Sequence, residues 1–172
     1  MLLNINDKKL VPLVHGGKST TIYRSGTPVV ANVTALDKAI EIALSNLDER
    51  YEYISNLKRK LIEELSIFSN VHINSTKNSI PNTLNISLID IDSKKFVKEL
   101  ENYDIYLSTT SACSLGNTPS KSVYAITNNI ELAKNSIRIS LSHLTKMEEI
   151  EEFLKIFKNI YDKELNNENN KS

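Results

Sequence analysis

Leu36, Ile40, Ala43, Leu47, Tyr51, Ile54, Leu57, Leu61, Leu65 and Phe68 recur at steps of three or four residues. That spacing places them on one face of an α-helix. Thr34 with Asp37 three residues on has the form of a capping box, which supplies acceptors to the first free N–H groups. A continuous helix over 31–69 is on the order of 50 Å long at ~1.5 Å per residue. A helix of that length outruns a small domain, so it is expected to connect two bodies of structure. The alternative is a break near residues 45–48.

The chain differs on the two sides of this helix. Residues 1–30 hold three of the four glycines and two of the four prolines. They have no apolar periodicity and read as loops and a strand remnant without a core of their own. After the helix, short elements alternate. Strands are expected at 71–73, 83–88, 105–107 and 136–141, the last with Ile137, Ile139 and Leu141 on one face. A helix capped by Ser93 runs to Leu100, and a helical turn is expected at 130–134. Thr145 and Glu148 form a capping box before a helix that carries Met147, Ile150, Leu154, Phe157 and Tyr161. Residues 108–121 are Ser, Thr, Gly, Asn and Pro with almost no apolar content, which makes a long loop. The tail 166–172 is polar and expected to be disordered. The fold class is therefore α/β (α+β), a two-layer helix-on-sheet domain over 70–165 hung on a long helix.

Charge excludes some functions. Lys+Arg and Asp+Glu each number 21, giving a formal net charge of zero. Nothing in that balance favours a nucleic-acid or anionic-membrane partner. Apolar runs are far shorter than the ~20 residues of a membrane span, and no basic-then-apolar leader opens the sequence. With one cysteine, an internal disulfide or multi-cysteine zinc site is out of reach. A soluble protein of a reducing compartment, the cytoplasm, is expected.

Three patches carry chemistry. The single cysteine, Cys113, lies in Ser108-Thr-Thr-Ser-Ala-Cys-Ser-Leu-Gly-Asn-Thr-Pro119. A lone cysteine is most often a small buried hydrophobe, but this stretch has too few apolar residues to bury it. A long polar loop in a compact domain is more often functional or disordered than structural, and an exposed thiol is an available nucleophile. Arg138 sits mid-strand between Ile137 and Ile139, so it faces away from the core. It reads either as a solvated, salt-bridged strand arginine or as a clamp whose planar fork grips a carboxylate. The third patch is His15-Gly-Gly-Lys-Ser-Thr-Thr-Ile-Tyr-Arg-Ser-Gly-Thr27. Its glycines permit tight turns, and the hydroxyls of Ser25 and Thr27 suit a phosphate. Gly-Lys-Ser here evokes a P-loop, yet the motif's leading glycine is missing and no helix-forming run follows Ser19. His15 reads as a loop-packing residue, and His72 and His143 as ordinary surface histidines.

Taken in order, the patches resemble the cysteine desulfurases, class V aminotransferases among the fold-type-I pyridoxal phosphate enzymes. His15-Gly16-Gly17 with Arg24-Ser25-Gly26-Thr27 is similar to one family segment. Ser111-Ala112-Cys113 followed by Pro119-Ser120 is similar to the family's cysteine loop. Ser136-Ile-Arg-Ile-Ser140 with the Thr145 and Glu148 helix start is similar to its arginine strand, and Pro81-Asn-Thr-Leu-Asn-Ile-Ser87 also fits. The resemblance covers nearly the whole chain. Departures are Lys18 for the family's third glycine, Ser19-Thr20 for its Gln-Glu pair, Thr110 where glycine is usual, and Leu141-Ser-His-Leu-Thr145 for Leu-Gly-Arg-Phe-Thr.

The resemblance implies a C-terminal portion of such an enzyme: a remnant of the cofactor domain at 1–30, the linker helix at 31–69 and the small domain at 70–165. It implies pyridoxal phosphate as cofactor, with Thr27 touching its phosphate across a homodimer interface. The family's Schiff-base lysine follows a histidine, and no His-Lys pair occurs in this sequence. The resemblance further implies L-cysteine as substrate, held by Arg138, and a persulfide on Cys113 passed to acceptor proteins such as an iron–sulfur scaffold, with no metal site. Two other readings stay open: a non-catalytic interaction module, and another class V aminotransferase or selenocysteine lyase.

Overall fold

A computed structural model describes residues 11–17, 23–109 and 118–169. The chain divides into two compact units, 1–47 and 48–172.

In the first unit, two loop stretches lie against each other. The Ser25 N–H donates to the Val14 carbonyl at 3.0 Å, and the Ser25 hydroxyl to the Gly17 carbonyl at 3.3 Å. Gly16 permits this approach, since a Cβ there would stand 3.0 Å from that of Ser25. Gly26 takes φ +107°, which side-chain-bearing residues rarely adopt. Helix α1 spans Val30–Ser45. Its N-cap is Val29, five residues before Thr34, and makes no side-chain cap, so the expected Thr34–Asp37 box does not form. The first-turn N–H groups are exposed to water, which satisfies them without a cap. None of α1 is buried, and Leu36, Ile40 and Leu44 are exposed.

The helical periodicity is interrupted at Asn46, and α2 spans Leu47–Leu65. Three antiparallel strands follow in the order β1-β2-β3: β1 Val71–Ile73, β2 Thr83–Leu88 and β3 Ser136–Ser140. Helix α3 is Ser93–Leu100, α4 Lys121–Thr127, α5 Ile130–Lys134 and α6 Met147–Asn169. One sheet face is apolar. Leu84, Ile86, Leu88, Ile137 and Ile139 pack under Leu57, Leu61 and Leu65 of α2, Phe96 and Leu100 of α3, and Phe153 and Phe157 of α6. Each such side chain contributes ~1.5–3 kcal/mol by leaving water. Phe157 is the hub of the aromatic cluster, 4.9 Å from Phe96, 5.5 Å from Phe68 and 5.7 Å from Phe153 between ring centroids. On the other face α5 lies against β2, the Ser87 hydroxyl donating to the Leu132 carbonyl at 2.7 Å. The small helices therefore add partial cover to the expected two layers.

Several local expectations are corrected. Asp92, not Ser93, caps α3, accepting from the N–H groups of Lys94 and Lys95. Ser93 becomes the first helical residue, buried with an unbonded hydroxyl. The capping box before α6 is shifted by one residue. Glu149 accepts from the Lys146 N–H at 2.7 Å, while the Thr145 hydroxyl turns back to the Ser142 N–H at 3.1 Å. The strand expected at 105–107 is reduced to a single bridge at Ser108. Asp104 at φ +58° turns the chain there, so pairing is reached only four residues later, at Ser108. Finally, α6 runs on to Asn169, into the polar stretch that composition marks as disordered. Extending a formed helix adds one backbone bond per residue, which offsets poor propensity.

Candidate active site

The second face of the sheet carries polar side chains at alternate positions, as the period-2 geometry of strands requires. Asn85 stands opposite Arg138, Ser87 opposite both His72 and Ser136, and Thr83 opposite Ser140. Asn74, just past β1, is buried and ties this face together. Its amide donates to Asn85 Oδ1 and to the Ser87 hydroxyl, each at 2.7 Å. Its oxygen lies 3.0 Å from His72 Nδ1. Sequence reading singled out none of Asn74, Asn85 or Ser87. The signal for them was the polar alternation of Thr83, Asn85 and Ser87 within an otherwise apolar strand.

Arg138 is exposed on this face, as the isoleucines on either side dictate. Its backbone is held from both sides, by β2 and by Ser108 at the open edge of β3. Among the described residues no carboxylate pairs with it. Its guanidinium only approaches the Ser108 hydroxyl, at 3.4 Å. It opens into a cleft of about 320 Å³ whose walls include Asn74, Ser79, Asn85, Ser108 and Ser136. Arg138 is the one charged residue among the described residues that line it. A guanidinium uncompensated among the described residues, set among hydroxyls, amides and the apolar Val123 and Ile126, has the chemistry to grip a planar anion through paired N–H groups.

Cys113 lies outside the described residues. Its flanks do not: Thr109 on one side and Ser120 on the other both line the Arg138 cleft. Ser120 caps α4 and donates its N–H to the Ala133 carbonyl at 2.8 Å. The structure thus brings Arg138 together with both ends of the cysteine segment. Thr27 belongs to the first unit and is exposed, its carbonyl accepting from Arg24 at 3.0 Å. An exposed threonine after a Gly-Ser turn has a hydroxyl able to donate to an anion such as a phosphate. No described residue of that unit offers a free lysine, as Lys38 is paired with Glu41. His15 and His143 are exposed. Among the described residues no cluster of His, Cys, Asp and Glu could hold a metal, and no helix is long and apolar enough to cross a membrane.

Residues 8–153 match the Aminotransferase class-V family. The chain is 34% identical over 158 residues to the cysteine desulfurase IscS of Dictyoglomus turgidum, covering 90% of this chain and 40% of that protein. It is 32% identical over 160 residues to the cysteine desulfurase IscS of Clostridium botulinum, with the same coverage. Among solved structures, the NifS-like protein of Rickettsia africae superposes with a TM-score of 0.72 at 29% identity, over 91% of this chain and 41% of the other. A second NifS-like protein gives 0.74 at 30% identity. The chain spans about 40% of the length of these relatives. With a family match over most of its length and a fold shared with NifS-like enzymes, the chain belongs to the class V aminotransferases.

Proposed function

We propose that the protein works as part of a pyridoxal-phosphate-dependent cysteine desulfurase, which takes L-cysteine to L-alanine and passes its sulfur on. The observation that carries this reading is that Arg138, paired with no carboxylate among the described residues, lines a cleft with Thr109 and Ser120 from either side of the cysteine segment. Arg138 binds the carboxylate of L-cysteine through paired N–H groups, which fixes the direction of the substrate's sulfur. The Cys113 thiolate attacks that sulfur. The substrate's carbon–sulfur bond breaks, the sulfur stays on Cys113 as a persulfide, and the carbon keeps the electron pair, takes up a proton and leaves as alanine. Pyridoxal phosphate, when bound, supplies the electron sink for this cleavage, and Thr27 holds its phosphate from a neighbouring subunit of a homodimer. The persulfide on Cys113 then passes its sulfur to an acceptor such as an iron–sulfur scaffold in the cytoplasm.

The 172-residue sequence has no His-Lys pair. We therefore expect the chain alone to be colourless and inactive toward cysteine, with the reactive lysine supplied by a further polypeptide segment. Absorption spectra with added pyridoxal phosphate, before and after borohydride reduction, test this. A specifically reduced lysine together with alanine production by the isolated chain overturns it.

A further inference from the structure

Lys58 follows the core residue Leu57 on α2 and is only 7% exposed. A buried ammonium is costly unless it is bonded, and burial lowers its pKa. Its partners are all neutral. It donates to the Ser79 hydroxyl at 2.7 Å and the Ile80 carbonyl at 2.8 Å. No carboxylate among the described residues pairs with it. The Ser79 hydroxyl passes the contact on, donating to the Thr76 carbonyl at 2.7 Å, to which the Ser79 N–H also donates at 3.1 Å. The turn 76–79 is thus closed upon one oxygen and fastened to α2 by one lysine.

That turn is a wall of the Arg138 cleft, through Thr76 and Ser79. The same two residues line a second groove of about 390 Å³ behind it, shared with Lys58 and Tyr51. The wall therefore stands between two open spaces, with little side-chain packing to fix it. Next to the turn, the Ser75 hydroxyl accepts from the N–H of Asn85, the residue directly opposite Arg138.

We infer that Lys58 is a positioning residue for substrate: by clamping the 76–80 turn it sets the width of the cleft in which Arg138 meets a carboxylate. The inference rests on the reading of Arg138 given above. Lys58 touches neither substrate nor cofactor in this scheme and acts through Ser79.

Two measurements test it. In the 172-residue chain, Lys58→Met should speed hydrogen exchange at the Ser79 and Asn85 amides by about tenfold, as expected for losing a bonded anchor, with the Ile137 amide unchanged. Lys58→Arg should restore protection. Ser79→Ala, which removes the acceptor and leaves the lysine in place, should show the same loss more weakly and covers the case in which Lys58→Met fails to fold. In the assembled, cofactor-loaded enzyme, Lys58→Met should raise KM for L-cysteine by about three- to tenfold with kcat within about twofold, and Lys58→Arg should reverse most of this. Wild-type protection at Ser79 and Asn85, or an unchanged KM in a variant whose turn has loosened, overturns the inference. If Arg138→Ala leaves KM unchanged, the arginine reading falls instead, and the exchange result alone decides whether Lys58 shapes this cleft.

Discussion

Arg138 and Ser108 are joined by two backbone hydrogen bonds, the Arg138 N–H to the Ser108 carbonyl at 2.7 Å and the Ser108 N–H to the Arg138 carbonyl at 3.4 Å. This one-residue bridge fixes the open edge of β3 where the cysteine segment departs. Arg138 and the described residue Ser108, just before the cysteine segment, are thereby held in register by main chain. A side-chain substitution at either position leaves that register standing, so its effects report on chemistry and not on the fold.

Arg138→Ala in the cofactor-loaded enzyme should raise KM for L-cysteine about ten- to a hundredfold, the worth of charge-assisted hydrogen bonds of ~1.5–3 kcal/mol. Arg138→Lys keeps the charge and loses the fork, so it should recover part of the loss. Steady-state kinetics with L-cysteine check both. Because Arg138 is exposed and unpaired with any described carboxylate, its removal should leave the urea midpoint within error.

Phe157→Ala should destabilise the protein by about 3–5 kcal/mol. Its ring is fully buried and touches aromatic rings from α3, α6 and the segment after α2. Tyr106→Ala is the control: the ring is 73% exposed, and its loss should change stability by less than about 0.5 kcal/mol. Urea unfolding followed by circular dichroism reads both.

Every described residue of the buried apolar core, from Ile54 to Tyr161, lies in the second unit. A protein cut down to residues 48–172 should therefore keep the urea midpoint of the whole chain to within a few tenths molar, by the proportion of midpoint to stability. Limited proteolysis should trim the chain before residue 47 first, since no residue of α1 is buried. Cleavage within β2 or α3 ahead of that would contradict it.

Most of this architecture was legible in the sequence because its apolar periods are clean. Ile137 and Ile139 set the face of β3, and with it the outward aim of Arg138. Caps were harder to read. Asp92 and Ser93 are both good N-cap residues, and the choice fell to the one whose neighbour could be buried, which is a tertiary matter. Thr145 had two N–H groups within reach and took the one at Ser142. Residues 105–107 look like a strand by composition, but a strand needs an edge to pair with, and the turn at Asp104 brings only Ser108 to β3. Lys58 was invisible for a different reason: on a helical pattern, a lysine beside an apolar stripe reads as solvent-facing, and only the 76–80 turn folding over it shows otherwise.

Cys113→Ser in the cofactor-loaded enzyme should abolish persulfide formation and sulfide release while leaving cofactor absorption intact. A hydroxyl is a far poorer nucleophile toward sulfur than a thiolate. Trapping of persulfide on the protein with an alkylating reagent, followed by mass spectrometry, reads the outcome. Full sulfide release by the serine variant would remove Cys113 from the mechanism.

The pH dependence of folding separates Lys58 from the other perturbed lysines. Burial holds the Lys58 ammonium below the ordinary value of 10.5. Between that lowered pKa and 10.5 the unfolded chain binds more protons than the folded one, so this group makes stability rise with pH. Lys60, Lys95 and Lys163 act in the opposite sense. Hydrogen bonds that they donate to Glu64, Glu164 and Glu99 respectively raise their pKa values above 10.5. Their contribution is present below 10.5 and is lost only as pH climbs through the folded-state values. All three are exposed, so solvent screening keeps that contribution small. Both kinds of lysine are present in the wild-type curve, and a difference against Lys58→Met cancels the three that are shared. The unfolding free energy of wild type minus that of Lys58→Met should therefore grow as pH rises through the lowered pKa of Lys58 toward 10.5. Urea titrations at a series of pH values measure it. A difference that stays flat would mean that Lys58 keeps its ordinary pKa and is hydrated in the fold. A difference that falls would mean that it has found an anionic partner, with Glu63, which lines the same groove, the nearest choice on this side of α2.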